Sequence, residues 1–422
     1  MRRLFSLLPC LLLAGCVSYE PAPVDWEAEV ADWTNGQQCV TLSIGDALLR
    51  AIAFSPELNA VRLAHAKSAA KADASGYWDD PSLDLDVLRV LKEPKNPWTY
   101  GGSVSLTIPV TGIPGLERKA AEAYAAADRW EIIAAEDETI IEAANLAHAS
   151  LSLKRLTDFL VNDRRSESYR SARDVSRRLA ESGELTKTEY LQQNVAENEL
   201  DQTLFELRKE RIETESKLRR LTGLPPGCVL LWNDDDVLPV LTTNEVDYLD
   251  FVRAPEVQAA LARCEGKETE LKKEIRRQYP ELSIGPAYTR EDGFDKVGLT
   301  VGLSLPLWNR NRQGIAEAKG SRDESRHAAI IAWRDAVQRY IDAQMTLAAV
   351  GDWRVESSRS HAEEIYEAGE ITAGEYVASI QQDWNQYVNV FRRRITAISA
   401  TYRINVLVSR LKDEEEEGIS EE

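Results

Sequence analysis

The chain repeats itself, and this repeat limits its architecture more than any other feature of the sequence. Four short segments of the first half recur in the same order in the second half, about 190 to 200 positions further on. The matched pairs are Ser55–Ala60 with Ala254–Ala259, Pro81–Leu85 with Pro280–Ile284, Ser103–Val110 with Thr300–Leu307, and Glu181–Thr186 with Glu367–Thr372. We therefore expect two copies of one structural unit, fused in tandem.

Each unit ends in a long segment that contains no proline, residues 115–224 and 307–422. Both segments are rich in good helix formers, and each has one obvious break, at Gly183 and at Gly369, where glycine suits a left-handed helix C-cap. Residues ~116–182 would form a helix of about 65 residues, close to 100 Å long at 1.5 Å per residue. Helical hairpins of this length are stable only when they pack side by side as coiled coils.

The N-terminus indicates export. Arg2 and Arg3 precede an apolar stretch, Leu4–Leu13, that is too short to cross a bilayer as a helix. The following Leu-Ala-Gly-Cys resembles the bacterial lipobox, so we expect a signal peptide at residues 1–15 and a lipidated Cys16. Val17 in the second mature position implies sorting to the outer membrane. A cleaved secretory signal followed by a chance cysteine is the alternative.

Four shorter segments, ~81–91, ~99–110, ~280–290 and ~296–307, alternate between apolar residues and small or polar ones. This alternation is typical of strands in a membrane barrel with a wet lumen, although a half-buried soluble sheet shows it too. Lipidation and the aromatic residues near the strand ends favour the barrel. Four strands cannot close a barrel, so several chains must contribute, and the sequence leaves their number open.

Composition and motifs exclude several functions. A net charge of −19 should repel nucleic acid, so no nucleic-acid partner is expected. The four histidines lie apart, without cysteine or acidic partners at metal-ligand spacing. We find no phosphate-binding loop and no nucleophile motif, and we predict neither a cofactor, nor a metal site, nor an enzyme.

The repeat, the strand placement and the glycine turns together resemble the TolC-type outer-membrane factor family over residues ~45–412. That resemblance implies a mainly α fold with a small β part, in which a homotrimer forms a twelve-stranded transmembrane β-barrel above a barrel of helices. It also implies an outer-membrane exit channel that extends into the periplasm and works with a periplasmic adaptor protein and an inner-membrane pump. The implied divisions are 1–15 signal peptide, 16–44 lipidated segment, 45–223 first repeat, 224–250 equatorial linker, 251–412 second repeat and 413–422 acidic tail.

Residues 306–312, followed by Gly314, resemble the heavy-metal cation efflux branch, whereas the counterpart at 110–115 departs from its pattern. Efflux of small solutes, with metal cations as one candidate cargo, is the favoured function. Only Met345 follows Met1, so no thioether ladder for soft ions is present. The alternatives are the channel of a type I protein secretion system and, from another class, a non-channel coiled-coil adaptor or scaffold lipoprotein.

The resemblance assigns roles to the glycine turns. The residues Gly183, Glu184, Leu185 and Thr186, and likewise Gly369, Glu370, Ile371 and Thr372, correspond to periplasmic tips that dock onto the adaptor. Glu375 corresponds to an acidic position at the periplasmic gate, although a solvated helix carboxylate is the simpler interpretation. Its repeat partner, Glu189, is expected to face elsewhere.

Three cysteines remain after export besides Cys16. Cys39 and Cys228 both fall in the expected equatorial region, and we predict a disulfide between them while Cys264 stays reduced. Three buried free thiols are the alternative.

Overall fold

The protein is mainly helical, with a small share of β-strand. The structure is a computed structural model that describes residues 19–34, 39–89, 91, 98–164, 167–233, 239–242, 246–291, 293–303, 308–351 and 359–417. Its elements in chain order are α1 Trp26–Thr34, β1 Cys39–Leu42, α2 Ile44–Phe54, α3 Pro56–Asp73, β2 Ser82–Arg89, β3 Trp98–Ile108, α4 Ile113–Arg164, α5 Glu167–Ser182, α6 Lys187–Leu221, β4 Val229–Trp232, a 3-10 helix Tyr248–Arg253, α7 Pro255–Arg276, β5 Leu282–Glu291, β6 Phe294–Leu303, α8 Arg312–Val350, α9 Arg359–Glu367 and α10 Ala373–Glu417.

One order of elements occurs twice. A helix, two strands, a very long helix, a shorter helix and a returning helix appear as α3 to α6 with β2 and β3, and again as α7 to α10 with β5 and β6. The two copies begin alike: Pro56 and Pro255 each occupy the first turn of their helix, where proline has no intrahelical donor to lose. None of the helices in the described part of the chain is both long and apolar enough to cross a membrane.

The long helices are divided differently from what the sequence suggested. In the first unit α4 ends at Arg164 and α5 begins at Glu167, and the continuity expected across residues 165 and 166 lies outside the described residues. In the second unit the expectation of a single break, at Gly369, is wrong. The helix α8 already ends at Val350, because Gly351 adopts φ 62° and ψ −160°, a conformation that residues with a side chain rarely reach.

Nearest the strands, four helices form one layer in the order α3, α4, α7, α8. Ion pairs join the neighbours: Arg62 to Glu136 at 2.9 Å, Arg263 to Glu131, and Arg322 to Glu268 at 3.7 Å. The first and last helices of the layer do not close on each other, and both carry exposed apolar side chains. Leu63 on α3 is 71% exposed, and Ile330 on α8 is 43% exposed.

Several cores hold the helices together, and one of them joins α8 and α10 to the 3-10 helix around the buried Phe251 and Tyr340. Far from the strands, α4, α5 and α6 pack against α10 around the fully buried Trp384, Tyr169 and Tyr376. Midway along the molecule, β1 and β4 pair in parallel and their inward side chains pack on α4 and α6. Trp232 anchors this small sheet by donating its indole N–H to Ser150 Oγ on α4, at 3.2 Å.

A close approach between α4 and α7 provides a test of the fold. A Cβ at Gly266 would lie 2.7 Å from Cε1 of Tyr124, whose ring is flanked by Lys267. Gly266→Ala should therefore destabilise the protein by about 1–3 kcal/mol through overpacking. Thermal unfolding of the folded assembly measures this. Gly320→Ala, in open space within α8, is the matched control and should be neutral or stabilising by up to about 1 kcal/mol. Equal melting temperatures for both variants would contradict the α4–α7 contact.

Candidate functional site

The candidate site combines a four-stranded sheet with two helical turns at the opposite end of the molecule. The sheet has the order β2-β3-β5-β6, and every neighbouring pair is antiparallel. This order matches that of the helical layer, because each hairpin continues into the long helix that follows it. The strand positions agree with the alternation in the sequence. Their pairing across the two repeat units was not predicted.

The register pairs apolar residues of one strand with apolar residues of the next. Leu83 pairs with Val104, Leu106 with Ile284, and Ile284 with Val301. Because side chains alternate along a strand, one face of the whole sheet is apolar. Its apolar members are Leu83, Leu85, Val87, Tyr100, Val104, Leu106, Ile108, Leu282, Ile284, Pro286, Tyr288, Val297, Leu299, Val301 and Leu303. Gly102 also lies on this face, and the hairpin ends add Trp98 and the charged Arg89, Arg290 and Asp295.

The opposite face carries small and polar residues. Its small and polar members are Ser82, Asp84, Asp86, Thr99, Gly101, Ser103, Ser105, Thr107, Ser283, Gly285, Ala287, Thr289, Lys296, Gly298, Thr300 and Gly302. Leu88, Glu291 and Phe294 share this face at the hairpin ends. Gly285 has a steric reason to be glycine, since a Cβ there would collide with the Val104 carbonyl oxygen. Such a face can line a water-filled channel, whereas the apolar face is unsuited to contact with water.

Aromatic side chains lie at both ends of the apolar face. Trp98 and Tyr100 lie near the hairpin tips, with Arg89 stacked over Trp98 at 5.7 Å. Tyr77, Trp78, Tyr279 and Trp308 lie at the base, where the strands meet the helices, and all four are exposed. Amphipathic rings at two levels on either side of an apolar band are typical of membrane interfaces.

The two outer strands have free edges. Among the described strands, β2 pairs only with β3, and β6 pairs only with β5. All eight residues of β2 are exposed, as are nine of the ten residues of β6. A long apolar sheet with two open edges is unusual for a protein that stays in water as a single chain, because such edges pair with other strands.

At the far end, the two glycine turns have the same geometry. Gly183 and Gly369 adopt φ 80° and φ 75°. The amide of the following glutamate donates to the carbonyl five residues back, Glu184 to Leu179 and Glu370 to Ile365, both at 3.0 Å. The glycine amides donate to Ala180 and Tyr366, which completes a Schellman motif at each turn.

Both turns are open to solvent at their centres. A Cβ at Gly183 or Gly369 would meet no atom within 4 Å, so only the backbone conformation requires glycine there. Around them, Glu184, Thr186, Glu370 and Thr372 are exposed, and Leu185 and Ile371 are half-buried. Behind the second turn, Tyr366 stacks on Tyr376 at 4.6 Å. The two turns therefore expose the same short motif in the same hydrogen-bonded conformation.

Glu375 has a local structural role. Its carboxylate accepts hydrogen bonds from the Thr372 backbone amide at 2.8 Å and from the Thr372 hydroxyl at 2.9 Å. The Glu375 amide donates back to the Thr372 hydroxyl at 3.2 Å, which forms a capping box at the start of α10. These bonds, led by the one from the backbone amide, hold the pKa of Glu375 below its usual range. Sequence reasoning missed this role, although Thr-x-x-Glu before a helix signals it; the side chain of Glu189 lies outside the described residues.

The cysteines occupy different environments. Cys39 is exposed at the start of β1, and Cys228 is buried just before β4, which pairs with β1. Burial raises the pKa of the Cys228 thiol, so the thiol form predominates at neutral pH. Both are free thiols here, as is Cys264, and the disulfide stays a prediction for the oxidised protein. The lipidation residue Cys16 lies outside the described residues.

No group of three or more metal-ligating side chains occurs in the part of the chain that the structure describes.

The capping box predicts a pH dependence. Because the pKa of Glu375 is lowered in the folded state, its contribution to stability is present above the unfolded pKa and is lost as the pH falls through the folded value. The protection of the amides at the start of α10, measured by hydrogen exchange and corrected for the intrinsic exchange rate at each pH, should therefore fall on acidification. Glu375→Gln should remove this dependence, and Glu370→Gln, outside the capping box, should retain it. The same pH profile in both variants would contradict the assignment.

The whole chain resembles solved structures of channel proteins. No protein-family model matches it, and no curated protein does. One of these solved structures is that of CusC, a protein whose conformational changes accompany folding and transmembrane channel formation. It superposes with a TM-score of 0.66 at 13% identity, and the match covers 92% of this chain and 95% of that one. The Campylobacter jejuni CmeC outer membrane channel gives 0.65 at 15% identity, with 96% and 94% covered. The outer membrane protein VceC from Vibrio cholerae gives 0.65 at 16% identity, with 86% and 95% covered. The chain therefore has the fold of these outer-membrane proteins over nearly its full length.

Proposed function

We propose that this protein is the outer-membrane exit channel of a tripartite efflux system. The observation that carries the proposal is the four-stranded sheet, which has one apolar face, one polar face and two free edges. In hydrocarbon every backbone polar group needs an internal partner, so an open sheet cannot remain open there. The likeness to outer-membrane channels supports the membrane location.

Three copies of the chain would close the structure. Three four-stranded sheets give a barrel of twelve strands, within the range of known membrane barrels, whereas one sheet is too small. The helical layer has the same order as the sheet and is open at the same two sides. Pairing β6 with β2 of the next copy would therefore also place α8 against α3, and it would cover Leu63 and Ile330. One contact between copies closes both barrels.

The orientation follows from the two faces of the sheet. The apolar face would meet lipid and the polar face would line a wet channel. The lipid on Cys16 would add a second attachment to the outer membrane. The glycine turns, at the other end of the helices, would reach into the periplasm and dock onto an adaptor protein, which connects the channel to an inner-membrane pump.

We propose that the channel is narrowest near the second glycine turn, at Gly369. Three copies of Glu375 would meet there if the α10 helices converge. Its capping box supports a fixed position for the carboxylate, and a ring of three would favour cations over anions. Small solutes, metal cations among them, are the proposed cargo. The residues Trp308 to Arg312 and the acidity of the chain support it.

Type I protein secretion uses the same kind of channel and stays the alternative within this class. A scaffold lipoprotein without a pore is the alternative from another class, and the amphipathic sheet counts against it. Deleting the gene and profiling sensitivity to metals, detergents and drugs separates efflux from secretion.

Neighbouring residues on β6 provide a matched test of the membrane face. Leu299 lies on the apolar face and Thr300 on the polar face. Leu299→Lys should cost about 2–4 kcal/mol if it meets the bilayer centre, and the protein should fail to assemble in the outer membrane. Thr300→Lys should assemble and lower the cation selectivity of the pore in planar bilayers. If both variants assemble equally and the unmodified protein forms no pore, the channel proposal is wrong.

The turns provide the second test. Gly183→Val and Gly369→Val force a β-branched residue into the left-handed region, which should distort each Schellman motif. We expect lost efflux while membrane assembly is retained, measured as substrate sensitivity alongside native electrophoresis. Gly320→Val, in a helix and in open space, is the control for a general loss of stability. Normal efflux by both turn variants would reject adaptor docking at these turns.

A further inference from the structure

We infer that ion pairs between copies of this chain, from Arg310 and Arg312 of one copy to Asp79 and Asp80 of the next, join the protomers at the base of the sheet. The inference rests on the proposed trimer, and it assigns residues that the channel function leaves without a role. The two pairs of charges lie on opposite sides of the chain. Each pair lies at the junction between an outer strand and its neighbouring edge helix.

The arginines lie where β6 leads into α8. Both side chains are exposed, and neither forms an ion pair with a carboxylate among the described residues. Their backbone is fixed: Arg310 and Asn311 adopt φ 47° and φ 50°, which is unusual for residues other than glycine. The Asn311 side chain holds this turn by donating to the Glu274 carbonyl at 2.9 Å and to its carboxylate at 2.7 Å.

Glu274, which holds this turn through Asn311, is already occupied, because it also binds Arg277 at 2.8 Å. The turn therefore presents two guanidinium groups that form no ion pair with the described part of their own chain. In a chain with a net charge of −19, two neighbouring cations without partners are unexpected.

The aspartates lie where α3 leads into β2. Asp79 and Asp80 are exposed and accept no hydrogen bond or ion pair among the described residues. This loop is also fixed, because Gly76 adopts φ 83° and packs so closely on α4 that a Cβ would lie 2.8 Å from Cβ of Arg118. Arg118 is bound to Glu122 at 2.8 Å and does not neutralise the aspartates.

Both charged loops lie at the base of the sheet. One follows the last turn of α3 and leads into β2, the other precedes the first turn of α8, and each carries an exposed tryptophan, Trp78 or Trp308. When β6 of one copy pairs with β2 of the next, the arginine turn and the aspartate loop meet at the same junction. The contact joins unlike surfaces, so repeating it closes a ring.

These charges would also reject wrong pairings. Two β2 edges brought together with both chains in the same direction would gather four carboxylates, and two β6 edges would gather four guanidinium groups. Repulsion between like charges disfavours both arrangements. The ion pairs thus give the contact its direction, and the backbone pairing and apolar burial give it strength.

Charge reversal tests the pairs. Arg310→Glu with Arg312→Glu, or Asp79→Arg with Asp80→Arg, should remove most of the trimer, measured on native gels of detergent-solubilised membranes. All four substitutions in one chain should restore it. The exchange Arg118→Glu with Glu122→Arg, within one chain at the same height, is the matched control and should leave the trimer intact. The loss should be greatest at low salt, where exposed charges are least screened.

Cross-linking gives a second measurement that does not depend on reversal. In a background with Cys39, Cys228 and Cys264 replaced by serine, one tagged chain carries Asp80→Cys and a second carries Arg310→Cys. Co-expression should give a disulfide between the two differently tagged chains, and two copies of the same variant should give none.

A trimer that survives both reversals, or chains that never cross-link between the two positions, would overturn the ion pairs while leaving the channel proposal intact. Loss of bound phosphatidylglycerol from Arg310→Gln with Arg312→Gln, with the trimer unaffected, would instead assign the arginines to lipid and also overturn the inference. Failure of the unmodified protein to form any trimer would reject the proposed function itself.

Discussion

Backbone hydrogen bonding at the edges of the four-stranded sheet is the constraint on which the rest of the molecule depends. Within the sheet, β3 and β5 are satisfied on both sides, while β2 and β6 each present one row of unpaired amides and carbonyls. In water such edges attract other strands, and in lipid they are not tolerated. The apolar face makes the problem more acute, because it too lacks cover within the chain. The proposed pairing of β6 with β2 of another copy would solve both problems.

The order of the helical layer follows the order of the strands in the sheet. Each hairpin leads directly into a long helix, so the order of strands sets the order α3, α4, α7, α8, and both open sides coincide. Ion pairs between adjacent helices are half-exposed, and pairs of this kind contribute little to stability. Their repeated placement between neighbouring helices instead fixes how the helices align. The partly buried pair of Arg410 with Asp137 at 2.7 Å, between α10 and α4, ties the second unit to the first in the same way.

The functional residues could be predicted to different degrees. The turn glycines were identifiable because a positive φ leaves a sequence signal, and the structure places both in the same hydrogen-bonded motif. The family resemblance suggested Glu375 as a gate residue, and its contacts in the structure are those of a capping box. The charges at Asp79 and Arg310 had no signal of their own. An unpaired charge can be recognised only when every neighbouring group is known, and those neighbours come from distant parts of the chain.

Sequence alone determined the repeat, the strand positions, the alternation of the two faces and the Schellman glycines, because each depends on local periodicity or on the conformational preference of single residues. It also indicated that four strands are too few to stand alone. The tertiary structure decided the order β2-β3-β5-β6, which joins the two units across β3 and β5, and the extra helix end at Gly351. It also decided that both charged loops lie at the base of one sheet. These depend on contacts between residues about 200 positions apart, which local patterns do not encode.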